Sequence, residues 1–373
     1  MEYRKRLFAH RNPYDILHTE EQFLQAVREN IAFHIVNCPE YAEILQREAF
    51  GIQMLQSVHD LPRIPVLPTL YLKKHPLYSM DESRFIIKAA SSGTSGARSL
   101  IGIDRQSFLC GLNMVYRTFS YHGLFSTLPT NYIILGYRRE KGDPTGTAQT
   151  MYGTTMLAPA LRRTYALKEM DDTFQVDAEG ILRALHSYQR QGLPVRFVGL
   201  PAYMHYLVCT LKENGIRFRL NKHSRVLLGG GWKRAQVSQE QKQELYDLIY
   251  ETLGIPAYQC KEFFSAVEHP IAYCGCENRH FHVPIYSRVI IRDVKTLAPV
   301  PNGTVGLLSF VSPLLYSVPH VSVMTDDLAI LHDGEECGCG IPTPYFEVLG
   351  RAGVQGIKTC AAGALEVLGG AGS

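Results

Sequence analysis

The stretch Ser91-Ser92-Gly93-Thr94-Ser95-Gly96-Ala97-Arg98-Ser99 decides how the rest of the chain is interpreted. An apolar run, residues 85–90, precedes it and an alternating run, residues 100–103, follows it, which predicts a loop between two strands. Its glycines let the backbone turn sharply and approach a ligand closely. Hydroxyl and main-chain N–H groups then form a concave nest that suits phosphate oxygens. The stretch indicates either a phosphate-binding loop or a flexible hydroxyl-rich turn.

Two common nucleotide-binding motifs do not match this loop. A P-loop requires Gly-Lys-Ser or Gly-Lys-Thr at the start of a helix, and a dinucleotide loop requires G-x-G-x-x-G there. Neither spacing occurs between residues 91 and 99. The loop does resemble the phosphate loop of the adenylate-forming enzymes, in the form found in phenylacetate–CoA ligases and in acyl-protein synthetases of the LuxE family. The resemblance implies that Ser91, Ser92 and Thr94 supply hydroxyl donors to ATP.

Composition and charge narrow the function classes. With 373 residues, 46% of them hydrophobic and 20% charged, the chain predicts a globular protein with one large domain and smaller appendages. A net charge of +3 with scattered basic residues does not indicate a nucleic-acid partner. No apolar run reaches the roughly 20 residues of a membrane span, and nine irregularly spaced cysteines do not indicate a disulfide framework. We therefore expect a cytoplasmic protein with reduced thiols.

The segments on either side of the loop carry helical patterns. Thr19 with Gln22 is a capping-box signal, and an apolar stripe follows at helical spacing at Phe23, Val27, Ile31 and Ile35. Residues 61–68 contain three prolines and are expected to run extended over the surface. After the loop, Asp104 is expected to cap a helix whose apolar face consists of Phe108, Leu112, Val115, Tyr116 and Phe119.

Apolar strands alternate with helices through the middle of the chain. Strands are predicted at residues 132–137, 196–199 and 224–228, and helices follow the second and third of these. This alternation predicts an α/β fold with a largely parallel sheet covered on both faces. Residues 142–153 are expected to form an irregular loop near the site. From residue 287 onward we expect alternating strands, with a hairpin turn at residues 301–303.

The resemblance to adenylate-forming enzymes covers about residues 60–365 and implies their large domain of layered α/β sheets. We expect an N-terminal helical and extended segment at residues 1–85, the core domain at residues 86–349 and a vestigial C-terminal domain at residues 350–373. Because ligands of α/β sheets bind at the carboxyl ends of the strands, the residues that follow each strand are the main candidates for the site.

A glycine run follows one of the predicted strands. Gly229, Gly230 and Gly231 permit a flat base to lie against the main chain, and Trp232 is the only tryptophan of the chain. The run resembles that of the acyl-protein synthetases, and the same strand end forms part of the adenine pocket in the adenylate-forming enzymes. The alternative is a tight turn without a ligand. The tryptophan favours the adenine pocket.

An aromatic and acidic run follows another strand. Residues 263–268, Phe-Phe-Ser-Ala-Val-Glu, resemble the aromatic-Gly-x-Thr-Glu motif of the adenylate-forming enzymes. The resemblance implies that Phe264 takes the aromatic position and that Glu268 binds magnesium, which proteins hold with one or two carboxylates together with substrate phosphates. Ser265 stands in place of the usual glycine and Val267 in place of the usual threonine. These departures leave open the adenine and carboxylate contacts that the threonine makes.

Two further pairs complete the order of motifs. Asp326-Asp327-Leu328 resembles the Thr-Gly-Asp-Leu motif, and Gly350-Arg351 resembles the Gly-Arg that begins the hinge to the C-terminal domain. The resemblance implies that Asp327, at a strand end, accepts hydrogen bonds from ribose hydroxyls and that Arg351 contacts the ribose or the phosphate. Each pair alone is equally compatible with a surface turn. The order of loop, glycine run, glutamate, aspartate and arginine favours the enzyme.

Cysteines and histidines concentrate in two short stretches, residues 274–282 and 337–339. Thiolate and imidazole groups are the ligands of structural zinc, which takes four of them in a tetrahedron. Phenylacetate–CoA ligases carry a similar zinc site. The resemblance assigns as ligands Cys276, His282, Cys337 and Cys339, with Cys274 and His280 as competitors. The alternative is a set of reduced cysteines on two turns.

The C-terminal residues indicate which side chain could accept the acyl group from the acyl-adenylate. Adenylate-forming ligases continue after the Gly-Arg pair into a domain with a catalytic lysine, whereas acyl-protein synthetases resemble this chain in length and carry an acylated cysteine near the C-terminus. The resemblance implies that Cys360 is that nucleophile. Lys358, two positions away, would point to the same side of an extended segment and lower the pKa of the thiol. The alternative is a small buried cysteine in an Ala/Gly-rich segment.

Together these features predict an ATP- and magnesium-dependent enzyme that converts a carboxylic acid, expected to be a fatty acid, to an acyl-adenylate. Cys360 would take the acyl group as a thioester and pass it to an acyl-CoA-reductase-type or acyl-carrier partner protein. One alternative is a phenylacetate–CoA-type ligase. Another is a non-catalytic nucleotide-binding assembly subunit, which the substitutions at Ser265 and Val267 favour.

Overall fold

The computed structural model describes residues 2–90, 100–138, 146–170, 173–230 and 239–351. Within the described residues the chain divides into two compact units: the first contains residues up to His122 and residues 265–351, and the second contains residues between 123 and 264. The domain boundaries expected at residues 85 and 349 stay a prediction. No helix in the described ranges has both the length and the apolar composition that crossing a bilayer requires.

Three helices begin the first unit: α1 (Glu2–Ala9), α2 (Ile16–Asn37) and α3 (Pro39–Arg47). As the spacing predicts, Phe23, Val27 and Ile31 are fully buried. The prediction that a capping box at Thr19 begins α2 is wrong, because the helix begins one turn earlier and the Thr19 hydroxyl donates to the main-chain oxygen of Asp15 (2.7 Å). A threonine inside a helix satisfies its hydroxyl in this way.

The proline-containing segment 61–68 does not run extended over the surface as predicted. Val58–Arg63 forms a 3₁₀ helix, and Leu67–Pro68 forms strand β1, which pairs in parallel with residues 323–324. Leu61, Ile64 and Leu67 are at most 3% exposed. Because the prolines leave the apolar residues between them able to pack, the segment contributes to the core. Further short elements before the loop are Ile52–Met54, α4 (Thr69–Lys74) and Glu82–Arg84.

Two strands flank the predicted phosphate loop, as expected. Strands β2 (Phe85–Ala90) and β3 (Leu100–Asp104) form an antiparallel pair. The loop itself, residues 91–99, lies outside the described residues. Helix α5 (Arg105–Tyr121) follows, and the Asp104 carboxylate caps it by accepting hydrogen bonds from the main-chain N–H groups of Gln106 and Ser107.

The buried face of α5 differs from the predicted one. It consists of Ser107, Cys110, Met114, Thr118 and Phe119, and of these only Phe119 belongs to the predicted face. Leu112 and Tyr116, which the apolar pattern assigned to the core, are 49% and 54% exposed. Buried Arg4 of α1 donates from Nη1 to Ser107 Oγ (3.2 Å). A buried hydrogen-bond partner on another helix therefore lets α5 bury a mixed face instead of its most apolar one.

The second unit is built on a mostly parallel sheet, as predicted. Its strands are β4 (Thr130–Tyr137), β5 (Ala160–Met170), β6 (Thr173–Val176), β7 (Val195–Gly199), β8 (Arg225–Gly229) and β9 (Cys260–Ala266). They lie in the order β9-β8-β7-β4-β5-β6, and only β5 and β6 pair in antiparallel fashion. The helices between them are α6 (Gly146–Thr154), α7 (Ala178–Gln191), α8 (Pro201–Glu213) and α9 (Gln239–Leu253).

Helix α6 replaces most of the irregular loop expected at residues 142–153. Glycine and threonine disfavour helices, which motivated that expectation. Ala148 is nevertheless buried, and Met151 packs against the core of the second unit. Apolar burial therefore outweighs the low intrinsic propensity.

The remaining strands belong to the first unit: β10 (His269–Cys274), β11 (Phe281–His282), β12 (Arg288–Arg292), β13 (Gly306–Val311), β14 (Ser322–His332) and β15 (Tyr345–Arg351). Strands β11-β15-β14-β13-β12 form an antiparallel sheet in this order, and β1 pairs with β14. The predicted hairpin turn connects β12 and β13, and Gly303 there has φ of 81°. The α/β fold class is confirmed.

Candidate functional site

The carboxyl ends of β8 and β9 lie side by side in the second unit. Gly229, the last residue of β8, is the register partner of Phe263 in β9, and half-buried Phe264 follows. Gly230 has φ of +88°, and a Cβ atom there would lie 2.6 Å from Cδ2 of Leu200. Only glycine adopts this conformation without strain. The structure thus brings two of the sequence motifs together at the sheet edge where α/β proteins bind ligands.

Glu268 lies in the turn after β9 and is 5% exposed. His320 Nδ1 donates a hydrogen bond to its main-chain oxygen (3.2 Å). Burial lowers the pKa of His320 to about 4, so the imidazole is neutral near pH 7. Because a carbonyl oxygen can only accept, Nδ1 carries the proton. His320 therefore holds the backbone that carries the Glu268 carboxylate.

The next residue, His269, is anchored by a second set of contacts. Its ring stacks on Phe310, with the ring centroids 4.4 Å apart, and its Nε2 lies 2.9 Å from the hydroxyl oxygen of Tyr273. Tyr273 in turn donates to Ser287 Oγ (2.7 Å). Burial lowers the pKa of His269 to about 3, so this imidazole is also neutral near pH 7. The contacts of His320 and His269 therefore hold the turn at Glu268 in place within the first unit.

Asp327 and Arg351 are register partners on β14 and β15. Their proximity follows from the antiparallel pairing of the two strands. The expectation that Asp327 lies at a strand end is wrong, because β14 continues to His332. The pairing of β14 with β15 is irregular between Leu328 and Ala329, so Asp327 sits beside a bulge instead. Bulges redirect the neighbouring side chains.

Several predicted site residues lie outside the described residues. They are Ser91, Ser92, Gly93, Thr94, Ser95, Gly96, Gly231, Trp232, Lys358 and Cys360. For Arg351 the strand position is described, whereas the side chain is not. Their assignments stay predictions.

The first unit brings together the four predicted metal ligands. One ligand atom from each of Cys276, His282, Cys337 and Cys339 lies within 4.8 Å of the other three. The Sγ atoms of Cys276 and Cys337 are 3.6 Å apart, and Cys339 Sγ lies 3.2 Å from His282 Nε2. Cys276 lies in the turn after β10 and His282 in β11, and the turn before β15 supplies Cys337 and Cys339. Three thiols and one imidazole at this spacing fit a closed, tetrahedral zinc site.

The surroundings of this cluster suit a metal as well. His282 Nδ1 donates to the main-chain oxygen of Thr343 (2.7 Å), which leaves Nε2 as the atom that faces the thiols. Such a bond to the second nitrogen is usual for metal-binding histidines. Burial raises the pKa of Cys276 and raises that of Cys337 to about 12, whereas a bound dication would favour the thiolates. The donor chemistry therefore fits zinc.

The two alternative candidates for the zinc ligands lie outside this group. Cys274 and His280 do not belong to the group of converging ligand atoms. His280 Nδ1 lies 3.1 Å from Cys337 Sγ, and its ring stacks on Tyr345 with the centroids 4.3 Å apart. His280 is thus positioned to hydrogen-bond one of the thiols from outside the group.

Sequence reasoning missed His320 and Thr343. Both lie far along the chain from the residues they contact, and neither belongs to a motif with fixed spacing. Their roles depend on main-chain hydrogen bonds, for which the sequence carries no local signal.

Comparisons with known proteins show the family of this chain. The LuxE acyl-protein synthetase family matches residues 8–368. A long-chain-fatty-acid–luciferin-component ligase of Vibrio harveyi is 27% identical over 332 residues, which cover 88% of this chain and 83% of that protein. The protein of the same name from Aliivibrio fischeri is 26% identical over 349 residues, which cover 92% and 87%.

Solved structures with a similar fold include a 2-hydroxyisobutyryl-CoA ligase. Its open conformation in complex with 2-HIB-AMP and CoA aligns with a TM-score of 0.68 at 15% identity, covering 91% of this chain and 76% of that chain. Its postadenylation state with R3-HIB-AMP aligns with a TM-score of 0.67 at 16% identity, covering 91% and 69%. At these identities the likeness shows the fold alone, which is that of an adenylate-forming ligase.

Proposed function

Because this chain belongs to the LuxE acyl-protein synthetase family, we propose that it activates a long-chain fatty acid with ATP and transfers the acyl group to its own Cys360. In the first step a carboxylate oxygen of the acid attacks the α-phosphorus of ATP. The acyl-adenylate forms as the bond to pyrophosphate breaks and pyrophosphate leaves with the electron pair. The observation that carries the proposal is the buried Glu268, anchored in the turn after β9 of an adenylate-forming fold.

The described residues include predicted contacts to the base, the ribose and the magnesium ion of ATP, whereas the predicted phosphate loop lies outside them. The main chain at Gly229 and Gly230, which carries no side chains, would lie against the base, and the Asp327 carboxylate would accept hydrogen bonds from the ribose hydroxyls. Glu268 provides the oxygen ligand that magnesium prefers. When bound, magnesium would neutralise charge on the phosphates. Asp327 and the glycines would orient the nucleotide, and the turn would hold the Glu268 carboxylate in place before the substrates bind. Such preorganised groups lower the activation barrier of a reaction.

The second step forms a thioester from the acyl-adenylate, which is a mixed anhydride. The Cys360 thiolate attacks the acyl carbonyl, the bond to the phosphate oxygen breaks, and AMP leaves with the electron pair. Lys358 would stabilise the thiolate. The acyl group would then pass to the thiol of an acyl-CoA-reductase-type or acyl-carrier partner. This step rests on the position of Cys360 in the sequence and on the family.

Mass spectrometry tests both steps together. Incubation with ATP, magnesium and a series of fatty acids should produce pyrophosphate and a hydroxylamine-labile acyl adduct on the peptide that contains Cys360. Cys360→Ser should abolish the adduct and keep pyrophosphate release, because adenylation does not need the thiol. Cys209→Ser, at the half-buried cysteine of α8, is the matched control and should keep both.

Other outcomes would change the proposal. Pyrophosphate release without an adduct, combined with acyl transfer to added CoA, would indicate a CoA ligase. Nucleotide binding without pyrophosphate release for any acid would indicate a non-catalytic nucleotide-binding subunit.

We further propose that Cys276, His282, Cys337 and Cys339 hold a structural zinc ion. The support is their convergence within 4.8 Å and the hydrogen bond that orients His282. Four protein ligands leave no open coordination position, so the ion would connect the two turns and take no part in acyl transfer.

His320 should act as a positioning residue for Glu268. His320→Ala removes the hydrogen bond to the Glu268 main chain, and we expect the magnesium concentration for half-maximal pyrophosphate exchange to rise about fivefold. His320→Asn can donate from its amide at nearly the same place and should restore most of the parent value. A purely structural role would lower the melting temperature and leave the magnesium midpoint unchanged, which would contradict the prediction.

A further inference from the structure

A cleft of about 410 Å³ lies between strand β5 and helix α7 of the second unit. We call it the arginine cleft. A cleft of this size suits a small molecule, since a protein partner requires about 800 Å² of each surface. Its seven lining residues contain no aspartate or glutamate, and six of them carry a guanidinium or a hydroxyl group: Arg162, Arg163, Thr164, Arg183, Ser187 and Tyr188.

The strand and the helix direct these side chains into one space. Thr164 Oγ1 lies 2.7 Å from the hydroxyl oxygen of Tyr188, which joins β5 to α7. Arg162 precedes Thr164 by two residues in β5, so both point to the face of the sheet that α7 covers. Arg183 and Ser187 are four residues apart on α7 and lie on one face of the helix. Guanidinium groups from the strand and from the helix therefore flank a set of hydroxyl groups.

The hydroxyl groups of the arginine cleft retain hydrogen atoms that a ligand can accept. Thr164 and Tyr188 share one hydrogen bond, and because each hydroxyl carries one hydrogen atom, one of the two remains. Ser187 Oγ accepts a hydrogen bond from Gln191 Nε2 (3.4 Å), which leaves its own hydrogen atom to donate. The side chains of the cleft thus offer donors to a ligand, which favours a ligand rich in acceptor oxygens.

The guanidinium groups are available to a ligand to different degrees. Arg162 is exposed and forms no hydrogen bond or ion pair with any described residue. Arg183 Nη1 lies 3.1 Å from Glu179 Oε2, and these side chains are 67% and 85% exposed. An ion pair this exposed contributes little energy, so an anion can displace it. Arg163 donates from Nε to Thr155 Oγ1 (2.9 Å), and we assign it no direct contact with the ligand.

Positive charge on the opposite face of the sheet adds to the attraction for anions. Tyr132 of β4 is the register partner of both Arg163 and Arg196, so these side chains form a row across three strands. Arg196 is 2% exposed, and its Nε and Nη1 atoms have no hydrogen-bond partner. No carboxylate among the described residues pairs with Arg196. Because the protein interior screens charge weakly, this cation raises the positive potential around it.

We propose that the arginine cleft binds a small organic phosphate through its phosphate monoester group. Arg162 and Arg183 donate to the phosphate oxygens, and Ser187 donates its hydroxyl hydrogen. A phosphate monoester carries a charge of about −1.5 to −2 at pH 7, which matches two cations and a lining without carboxylates. The site goes beyond the proposed acyl activation. Strands β7 and β4 separate β5 from β8, which carries the glycine run, so the two sites are about 14 Å apart across the sheet.

Isothermal titration calorimetry with glycerol 3-phosphate tests the proposal without ATP, magnesium or a fatty acid, so its outcome is independent of the proposed enzymatic activity. At low salt the full-length protein should bind this probe with a dissociation constant of about 1 mM or less. Arg162→Gln should weaken binding about tenfold, because a charge-assisted hydrogen bond is lost. Glu179→Gln should strengthen binding about twofold, because it releases Arg183. Dimethyl phosphate, a diester with a single charge, should bind about tenfold more weakly than the probe.

Arg190→Gln is the matched control, because Arg190 is an exposed arginine of the same helix that does not line the arginine cleft. It should bind the probe as the parent does, and the melting temperatures of all variants should equal that of the parent. A parent protein that does not bind the probe at about 10 mM overturns the proposal, as does equal affinity after Arg162→Gln. Binding of a phosphoserine peptide without binding of glycerol 3-phosphate would assign the cleft to a phosphorylated protein and likewise overturn it.

Discussion

Replacing Cys337 with serine should abolish the proposed zinc binding and lower the free energy of unfolding by about 3 kcal/mol or more. Cys337 Sγ lies 3.6 Å from Cys276 Sγ, within the group that also contains Cys339 and His282. The cluster packs with Tyr14, Ile341 and Tyr345. Because a metal binds the folded chain and not the unfolded one, its binding energy adds to the stability of the fold. Elemental analysis and thermal unfolding measure the two effects.

Cys274→Ser is the matched control, since Cys274 is a buried cysteine at the end of β10 and lies outside the converging group. It should keep one equivalent of zinc. His282→Gln should lose the metal, whereas His280→Gln should keep it, and the reverse result would exchange their roles. Protein purified without chelators that contains less than about a tenth of an equivalent of zinc would refute the site.

Glu268→Gln should lower ATP–pyrophosphate exchange about 100-fold. Glutamine preserves the shape of the side chain and removes the charge that magnesium requires. The main-chain hydrogen bond from His320 does not involve the changed group, so the turn should keep its conformation. The measurement is the exchange rate at saturating ATP and fatty acid, with a titration of magnesium to separate weaker metal binding from slower chemistry.

Glu277→Gln is the control for this change, because Glu277 is an exposed glutamate that lies nearby in the sequence. It should exchange pyrophosphate at the parent rate. Thermal unfolding of both variants should match the parent. A Glu268→Gln enzyme that keeps most of the parent rate would show that magnesium is held without this carboxylate, and the role implied by the motif would be abandoned.

The sequence was informative where function depends on residue type and local spacing. Alternating apolar strands and helices predicted the α/β fold, and the order of motifs predicted an adenylate-forming acyl-protein synthetase of the LuxE family. Both predictions are confirmed at the level of fold and family. The sequence also predicted the four side chains that converge in space, from the stretch at residues 274–282 and the pair at residues 337 and 339.

Other features depended on which surfaces meet. The buried face of α5 contains Ser107 because Arg4 of another helix supplies its hydrogen-bond partner. Residues 146–154 form a helix because Ala148 and Met151 find a core to pack against. Asp327 lies within β14 because pairing with β15 extends that strand past the motif. In each case contacts with residues distant in the chain outweigh the structure that local sequence propensity alone would favour.

The amino-acid sequence by itself determined the fold class, the family and the residue types of the candidate site. Tertiary structure alone decided that His320 anchors Glu268 and that His282 faces the thiols through Nε2. The physical reason is the range of the interactions. Periodicity and motif spacing act over a few residues, whereas burial and hydrogen bonding join residues that only folding brings together.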